Sequence, residues 1–110
     1  MHELSLTRNI LGTALKNAGE KRILRVNLLM GPLSDEREES IRFYWNDLAK
    51  GTLARDAELY FQRVPREMKC LECGTIFQFE EQTSMCPHCY SHRLRLMTGA
   101  DVRLDSIDVE

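Results

Sequence analysis

Cysteine occurs four times in this chain, and only as two pairs, Cys70-Leu71-Glu72-Cys73 and Cys86-Pro87-His88-Cys89. A C-x-x-C spacing lets one tight turn aim two thiolates at a single ion. Twelve residues lie between the pairs, enough for a short hairpin that brings them face to face. Tetrahedral Zn²⁺ takes four such soft donors at about 2.3 Å, and a closed set of four thiolates leaves no position open for chemistry. The spacing therefore points to a structural zinc site on Cys70, Cys73, Cys86 and Cys89. Iron held as in rubredoxin and a redox dithiol pair are the competing readings. Four unrelated buried cysteines would leave the paired spacing unexplained.

The segment that carries the pairs, residues 67–98, has Ile76, Phe77 and Phe79 for the apolar body of its hairpin and a return strand at Leu94 to Met97. That is too little to hold a fold, so metal should contribute much of the folding energy. The rest of the chain reads differently. Leu4, Leu6, Ile10, Leu11, Ala14, Leu15 and Ala18 fall at helical spacing, closed by Gly19. Ile23 to Met30 reads as a strand with Leu24, Val26, Leu28 and Met30 on one face, broken by Gly31-Pro32. A second helix starts near Asp35, which with Glu38 resembles a capping box. It presents Ile41, Tyr44, Trp45 and Leu48 before Lys50-Gly51 stops it. The run Glu36, Arg37, Glu38, Glu39 reads as its solvated first turn, the acids favoured by the helix dipole. Ala57 to Val64 alternates as a strand with Leu59 and Phe61 inward, ended by Pro65.

The last apolar residues are Val102, Leu104, Ile107 and Val109, and their spacing slips by one. If all four face one core, Asp105-Ser106 carries a β-bulge. A lone terminal strand is not stable, so this segment should rejoin the first sheet. The expected fold class is α+β: two helices packed on one face of a roughly three-stranded sheet, with an inserted zinc-ribbon-like module. One domain spans residues 1–66 and is completed by a C-terminal strand in 99–110. The other spans 67–98.

A net charge near −2 over 110 residues gives no general attraction to nucleic acid or to an anionic membrane. No apolar run approaches a membrane span, and no signal-peptide core is expected at the N-terminus. With metal-type cysteines, the expected compartment is the cytoplasm, where thiols stay reduced.

The chain begins Met1-His2-Glu3. A histidine at position two places an α-amine, an amide nitrogen and an imidazole in one chelating sequence. The Met1 amine and His2 amide close a five-membered ring on a metal, and the His2 amide and Nδ1 close a six-membered one. The Glu3 amide or carboxylate, or a partner molecule, can supply a fourth donor. Nitrogen-rich, nearly planar sets suit Ni²⁺ or Cu²⁺, whereas zinc has no such preference. Most histidines so placed are simply exposed, and the chemistry alone does not choose.

Met1-His2-Glu3-Leu4-Ser5-Leu6, Gly51-Thr52-Leu53-Ala54, the two C-x-x-C pairs and the ending Val102-Arg103-Leu104-Asp105-Ser106-Ile107-Asp108-Val109-Glu110 together resemble the HypA/HybF family. These are nickel metallochaperones for maturation of nickel–iron hydrogenase, and the likeness runs along the whole chain. It implies a nickel site on His2 and Glu3, with Met1 contributing through its α-amine, in the domain of residues 1–66. Ni(II) would be cargo, and Zn(II) on Cys70, Cys73, Cys86 and Cys89 structural. The implied partners are the pathway's nickel-inserting GTPase and the hydrogenase large subunit, with urease accessory proteins as a further set. Neither nucleic acid nor membrane is among the expected partners.

One residue departs from the family pattern. Many members have glycine after the last cysteine, where the turn favours positive φ, and here it is Tyr90. A left-handed tyrosine is strained, so the second turn is expected to differ from the first, where Gly74 fits. His88 and His92 offer substitute zinc ligands, but exposed loop positions are the plainer reading. Arg93 and Arg95 read as a solvated strand face, and Tyr44 and Trp45 as packing residues.

The alternative to metal delivery is a zinc-ribbon protein- or nucleic-acid-binding module. Residues 67–98 set Lys69, Arg93 and Arg95 against Glu67, Glu72, Glu80 and Glu81, which gains little from phosphates. An enzyme is not expected, because His2 has no paired nucleophile and the cysteines are committed to metal.

Overall fold

The computed structural model describes residues 3–33, 35–99 and 101–110, with the side chains of residues 35 and 36 also left out. Among the described residues eight elements follow in order: α1 (Glu3–Ala18), β1 (Ile23–Met30), α2 (Asp35–Leu48), β2 (Glu58–Arg63), β3 (Glu67–Cys70), β4 (Ile76–Gln78), β5 (Leu94–Leu96) and β6 (Val102–Val109). They form two sheets, β2-β1-β6 and β4-β3-β5. This is the α+β arrangement expected, two helices over one sheet and a small sheet inserted before the last strand.

The first sheet is mixed. β1 pairs in parallel with β2, as a strand–helix–strand crossover through α2 requires, and antiparallel with β6. Val26, Leu28 and Met30 are fully buried on the helix-covered face. Opposite Asn27-Leu28, the partner strand steps from Ser106 to Leu104, leaving Asp105 as the extra residue. The bulge implied by the slip in apolar spacing is therefore present, and it puts Leu104 and Ile107 on the same side.

A second register shift was not expected. Ile23 faces Val109 while Arg25 faces Asp108, so Leu24 is the unpaired residue. Leu24 is consequently 45% exposed and Ile23 fully buried, a correction to the placement of Leu24 on the core face. Leu4 is likewise exposed, because the stripe of α1 reaches the core only from Leu6 onward. Thr7 is wholly buried instead, its hydroxyl donating to the Glu3 carbonyl at 2.6 Å. Gly19 and Gly51 adopt positive φ just past α1 and α2, as expected of helix stops. α2 buries Ile41, Trp45 and the following Ala49. Its proposed cap, Asp35, has a side chain outside the described residues, while Glu38 pairs with Arg42 at 3.6 Å.

Among the described residues, the core of α1, α2 and the first sheet includes none from 67–98. The radius of gyration is 15.7 Å, against roughly 13 Å for one spherical domain of this length. The small sheet thus lies beyond the first core. It enters and leaves beside the end of β1: Val64 donates to the Met30 carbonyl at 2.8 Å, and Leu33 donates to that of Gly99 at 2.6 Å. A Cβ on Gly31 would collide with the Gly99 carbonyl, so this crossing needs glycine. Arg103 of β6 then donates twice to the Glu67 carboxylate of β3, at 2.7 and 3.0 Å, which ties the two sheets side by side.

Candidate metal centre

The first cysteine pair forms the turn between β3 and β4, which pair antiparallel. The link between the pairs is not a hairpin in itself, contrary to expectation. It is the strand β4 followed by a loop, and β5 returns on the other edge of β3. The strands are short and form a single layer. Of the expected apolar body, Ile76 and Phe79 are therefore 37% and 40% exposed, and Phe77 is half-buried.

The two turns share one geometry. Cys70 donates to the Thr75 carbonyl and Gly74 to that of Cys70, both at 2.9 Å. Cys86 donates to Ser91 at 2.8 Å and Tyr90 to Cys86 at 2.9 Å. In each turn the first thiol accepts amide hydrogens. Cys70 Sγ accepts from Cys73, and Cys86 Sγ accepts from His88 and Cys89, over 3.3–3.5 Å. Gly74 has φ +80° and Tyr90 φ +64°. The second turn does not differ from the first: the tyrosine accepts the left-handed conformation that the turn demands.

Tyr90 is 69% exposed, so little packing offsets that strain. Tyr90→Gly is expected to stabilise the metal-loaded protein by about 0.5–1 kcal/mol, the left-handed cost less glycine's extra chain entropy. Thermal unfolding measures it, and a lowered midpoint would mean the ring contributes contacts outweighing the strain.

The turns bring all four sulfurs within 4.8 Å of one another. Cys70 and Cys89 Sγ are 3.5 Å apart, and Cys73 and Cys86 Sγ 3.7 Å. A tetrahedral ion about 2.3 Å from each sulfur requires sulfur separations of about 3.8 Å. The four thiols fit such an ion with little adjustment. Cys70 and Cys86 are buried, Cys73 and Cys89 exposed, so the cluster is closed on one side by its own turns.

The thiols are not equivalent before metal binds. The Thr75 hydroxyl, 3.1 Å from Cys73 Sγ, and the Thr75 amide lower the Cys73 pKa to about 6. The Cys73 amide lowers that of Cys70 against the opposing effect of burial. Cys89 is pushed up to about 12: the Ser91 amide favours its thiolate, but burial and the surrounding Cys70, Cys73 and Cys86 outweigh it. Thr75 is a contributor that sequence reading missed. Its only signal is a hydroxyl two residues after the second cysteine of a pair.

Neither histidine joins the cluster. His88 is exposed within the second turn, and exposed His92 has Nδ1 2.8 Å from the Ser84 carbonyl. Arg93 pairs with Glu72 at 3.0 Å, an exposed bond between the turns, and Arg95 is exposed on β5. Of the expected nickel residues, Met1 and His2 lie outside the described residues. Glu3 begins α1 with its carboxylate 3.7 Å from Arg37 Nε. Gly51-Thr52-Leu53-Ala54 is structural here. It turns the chain from α2 toward β2, with Leu53 accepting from Ile23 at 2.9 Å and Ala54 fully buried.

The family model for hydrogenase/urease nickel incorporation, metallochaperone, hypA, matches residues 1–109. This chain belongs to the HypA family. It is 36% identical over 110 residues to hydrogenase maturation factor HypA of Geobacter sulfurreducens, across the full length of both. It is 34% identical over 113 residues to hydrogenase maturation factor HybF of Salmonella typhimurium, again full length for both. The solution structure of the Ni metallochaperone HypA from Helicobacter pylori shares the fold, with a TM-score of 0.70 at 22% identity over 99% of this chain and 97% of that one. HypA membership makes nickel metallochaperone work in hydrogenase maturation the coarse function of the chain, and the four-cysteine cluster is its metal-binding centre.

Proposed function

We propose that the chain carries Ni(II) on the Met1 α-amine, the Met1-His2-Glu3 backbone and the His2 imidazole, and delivers it for assembly of nickel–iron hydrogenase. The observation behind this reading is Met1-His2-Glu3 at the head of a chain that the HypA family model matches from residue 1. Residues 1–66 with 99–110 would form the nickel-binding domain, and residues 67–98 the zinc-binding one. The four-cysteine set suits Zn(II), because it offers four soft donors and no open position. The chain would act as a carrier rather than an enzyme, in the cytoplasm. It would meet the pathway's nickel-inserting GTPase and the hydrogenase large subunit, and urease accessory proteins by the same chemistry.

A carrier has to bind nickel firmly enough to select it and loosely enough to surrender it. A shallow chelate at a chain terminus suits this, because its donors can be exchanged one by one for those of an acceptor.

Nickel titration with absorption spectroscopy tests the site. His2→Ala, or acetylation of the α-amine, is expected to abolish specific nickel binding while zinc content and fold stay unchanged. Lowering the pH through about 6.5 protonates an ordinary imidazole, so bound nickel should be released progressively over that range. Undiminished nickel affinity in His2→Ala would place the site elsewhere, with His88 and His92 the first positions to examine.

A further inference from the structure

Tyr90 is a costly residue where it stands. It holds φ +64°, a conformation easy only for glycine, and its ring is largely exposed. Among the described residues no hydrogen bond or ring contact engages its side chain. Strain that no internal contact offsets collects at binding surfaces. The ring borders a cleft of about 500 Å³ beside the second cysteine turn, lined also by Phe77, Gln78, Met85 and Pro87, with Glu80 its one charged member among the described residues. Thr83 donates to the Glu80 carbonyl at 2.9 Å, which fixes the turn carrying that acid. Among the described residues the Glu80 carboxylate has no cation beside it, and exposed Glu81 follows directly.

Phe77 and Gln78 belong to β4, which has β3 on one side and no strand on the other among the described residues. Its outer edge, Ile76-Phe77-Gln78, lacks the lysine, proline or charge that commonly blunts an open edge. The opposite edge, β5, carries exposed Arg95. An open edge can pair with an extended segment through backbone hydrogen bonds. A strand laid beside β4 sends every second side chain toward the face of Phe77, and so toward the cleft.

We propose that β4 and this cleft form a docking site for an extended segment of a partner protein, which adds as a strand beside β4 and sets an arginine or lysine side chain in the cleft. An aromatic face attracts a cation, and the unpaired Glu80 carboxylate gives the cleft the complementary charge. Tyr90 is then kept for its ring, at the expense of the turn that glycine would make more easily. The metal fixes the turn and so the ring, which makes the cysteine cluster the frame of a recognition surface. This site goes beyond nickel carriage and does not depend on the terminal chelate.

The test is an amide NMR titration of the metal-loaded chain with the acetylated, amidated pentapeptide Thr-Val-Arg-Val-Thr, which offers an extended backbone and one guanidinium. Saturable shifts are expected at Ile76, Phe77, Gln78, Glu80 and Tyr90, with those of β1 and β5 unmoved. Tyr90→Gly, expected above to keep or improve the fold, should weaken binding about fivefold, the worth of one exposed cation–ring contact. Tyr90→Phe keeps the ring and should bind as the unsubstituted chain does. Glu80→Gln should weaken binding about threefold, and citrulline in place of the peptide's arginine should weaken it more than either substitution. No saturable shift at millimolar peptide, or shifts confined to another strand edge, overturns the docking site. Equal affinity in Tyr90→Gly, or for the citrulline peptide, overturns the cationic pocket. Shifts along β4 that grow with protein concentration in the absence of peptide would assign the edge to a second copy of this chain and overturn the separate partner.

Discussion

Withdrawing the ion from Cys70, Cys73, Cys86 and Cys89 is expected to unfold residues 67–98 and to leave the core of α1, α2 and the first sheet folded. The module's strands are four, three and three residues long. Leu71, Ile76, Phe79, Met85 and Leu96 are all exposed, and among the described residues no side chain of the module belongs to the main core. Little apolar burial therefore opposes the chain entropy of the segment. Structural zinc contributes about 10–16 kcal/mol in small cysteine- and histidine-ligated modules, more than these strands can replace. Hydrogen exchange after chelation measures it. Amides of β3, β4 and β5 should lose protection while those of Val26 and Leu28 keep theirs. Persistent protection across 67–98 in the metal-free protein would sink the idea.

The same centre fixes the direction of a pH effect. At pH 7 the folded, metal-free cluster would hold Cys73 as thiolate, its pKa near 6, and Cys89 as thiol, its pKa near 12. Metal capture must expel at least the Cys89 proton, and more from an unfolded module whose thiols titrate near about 8.5. Affinity should thus rise with pH and fall in acid, with proton release on loading visible in weakly buffered solution.

Deleting residues from Asp101 onward is expected to abolish cooperative folding of the helical part. β6 pairs along nearly the whole of β1, contributes buried Val102, and packs Leu104, Ile107 and Val109 against the core. Each well-buried aliphatic side chain stabilises by roughly 1.5–3 kcal/mol, and a small domain has only about 5–15 kcal/mol in total. Loss of the strand removes several such terms and opens an unpaired edge on β1. Thermal unfolding followed by circular dichroism decides the matter. A truncated chain that kept its midpoint would show β6 to be an ornament on a core complete without it.

Sequence reading found the bulge at Asp105 because apolar residues on both sides of it disclose the slip. It missed the bulge at Leu24 because Ile23 and Leu24 are both apolar, and periodicity cannot say which of two such neighbours faces inward. Thr7 escaped because a polar residue gives no apolar signal, and its burial depends on a bond to its own helix. Tyr90 shows the reverse limit. A propensity rule forecast a different turn, but four cysteines converging on one point overrode the preference of one residue. The cysteine cluster was legible in full because spacing alone specifies it. The nickel residues are legible only through chemistry and family likeness, since Met1 and His2 lie outside the described residues.

Pairing of β1 with β6 also sets an order of assembly on the ribosome. The central strand of the first sheet is made early, yet one of its neighbours follows only after the whole cysteine module. Until then β1 must wait with one edge open and part of its apolar face uncovered. The cysteine module, by contrast, is contiguous and needs only an ion, so it can close without waiting for β6. The late-made metal knot would thus form first, and the early-made helical part would be the last to settle around its returning strand.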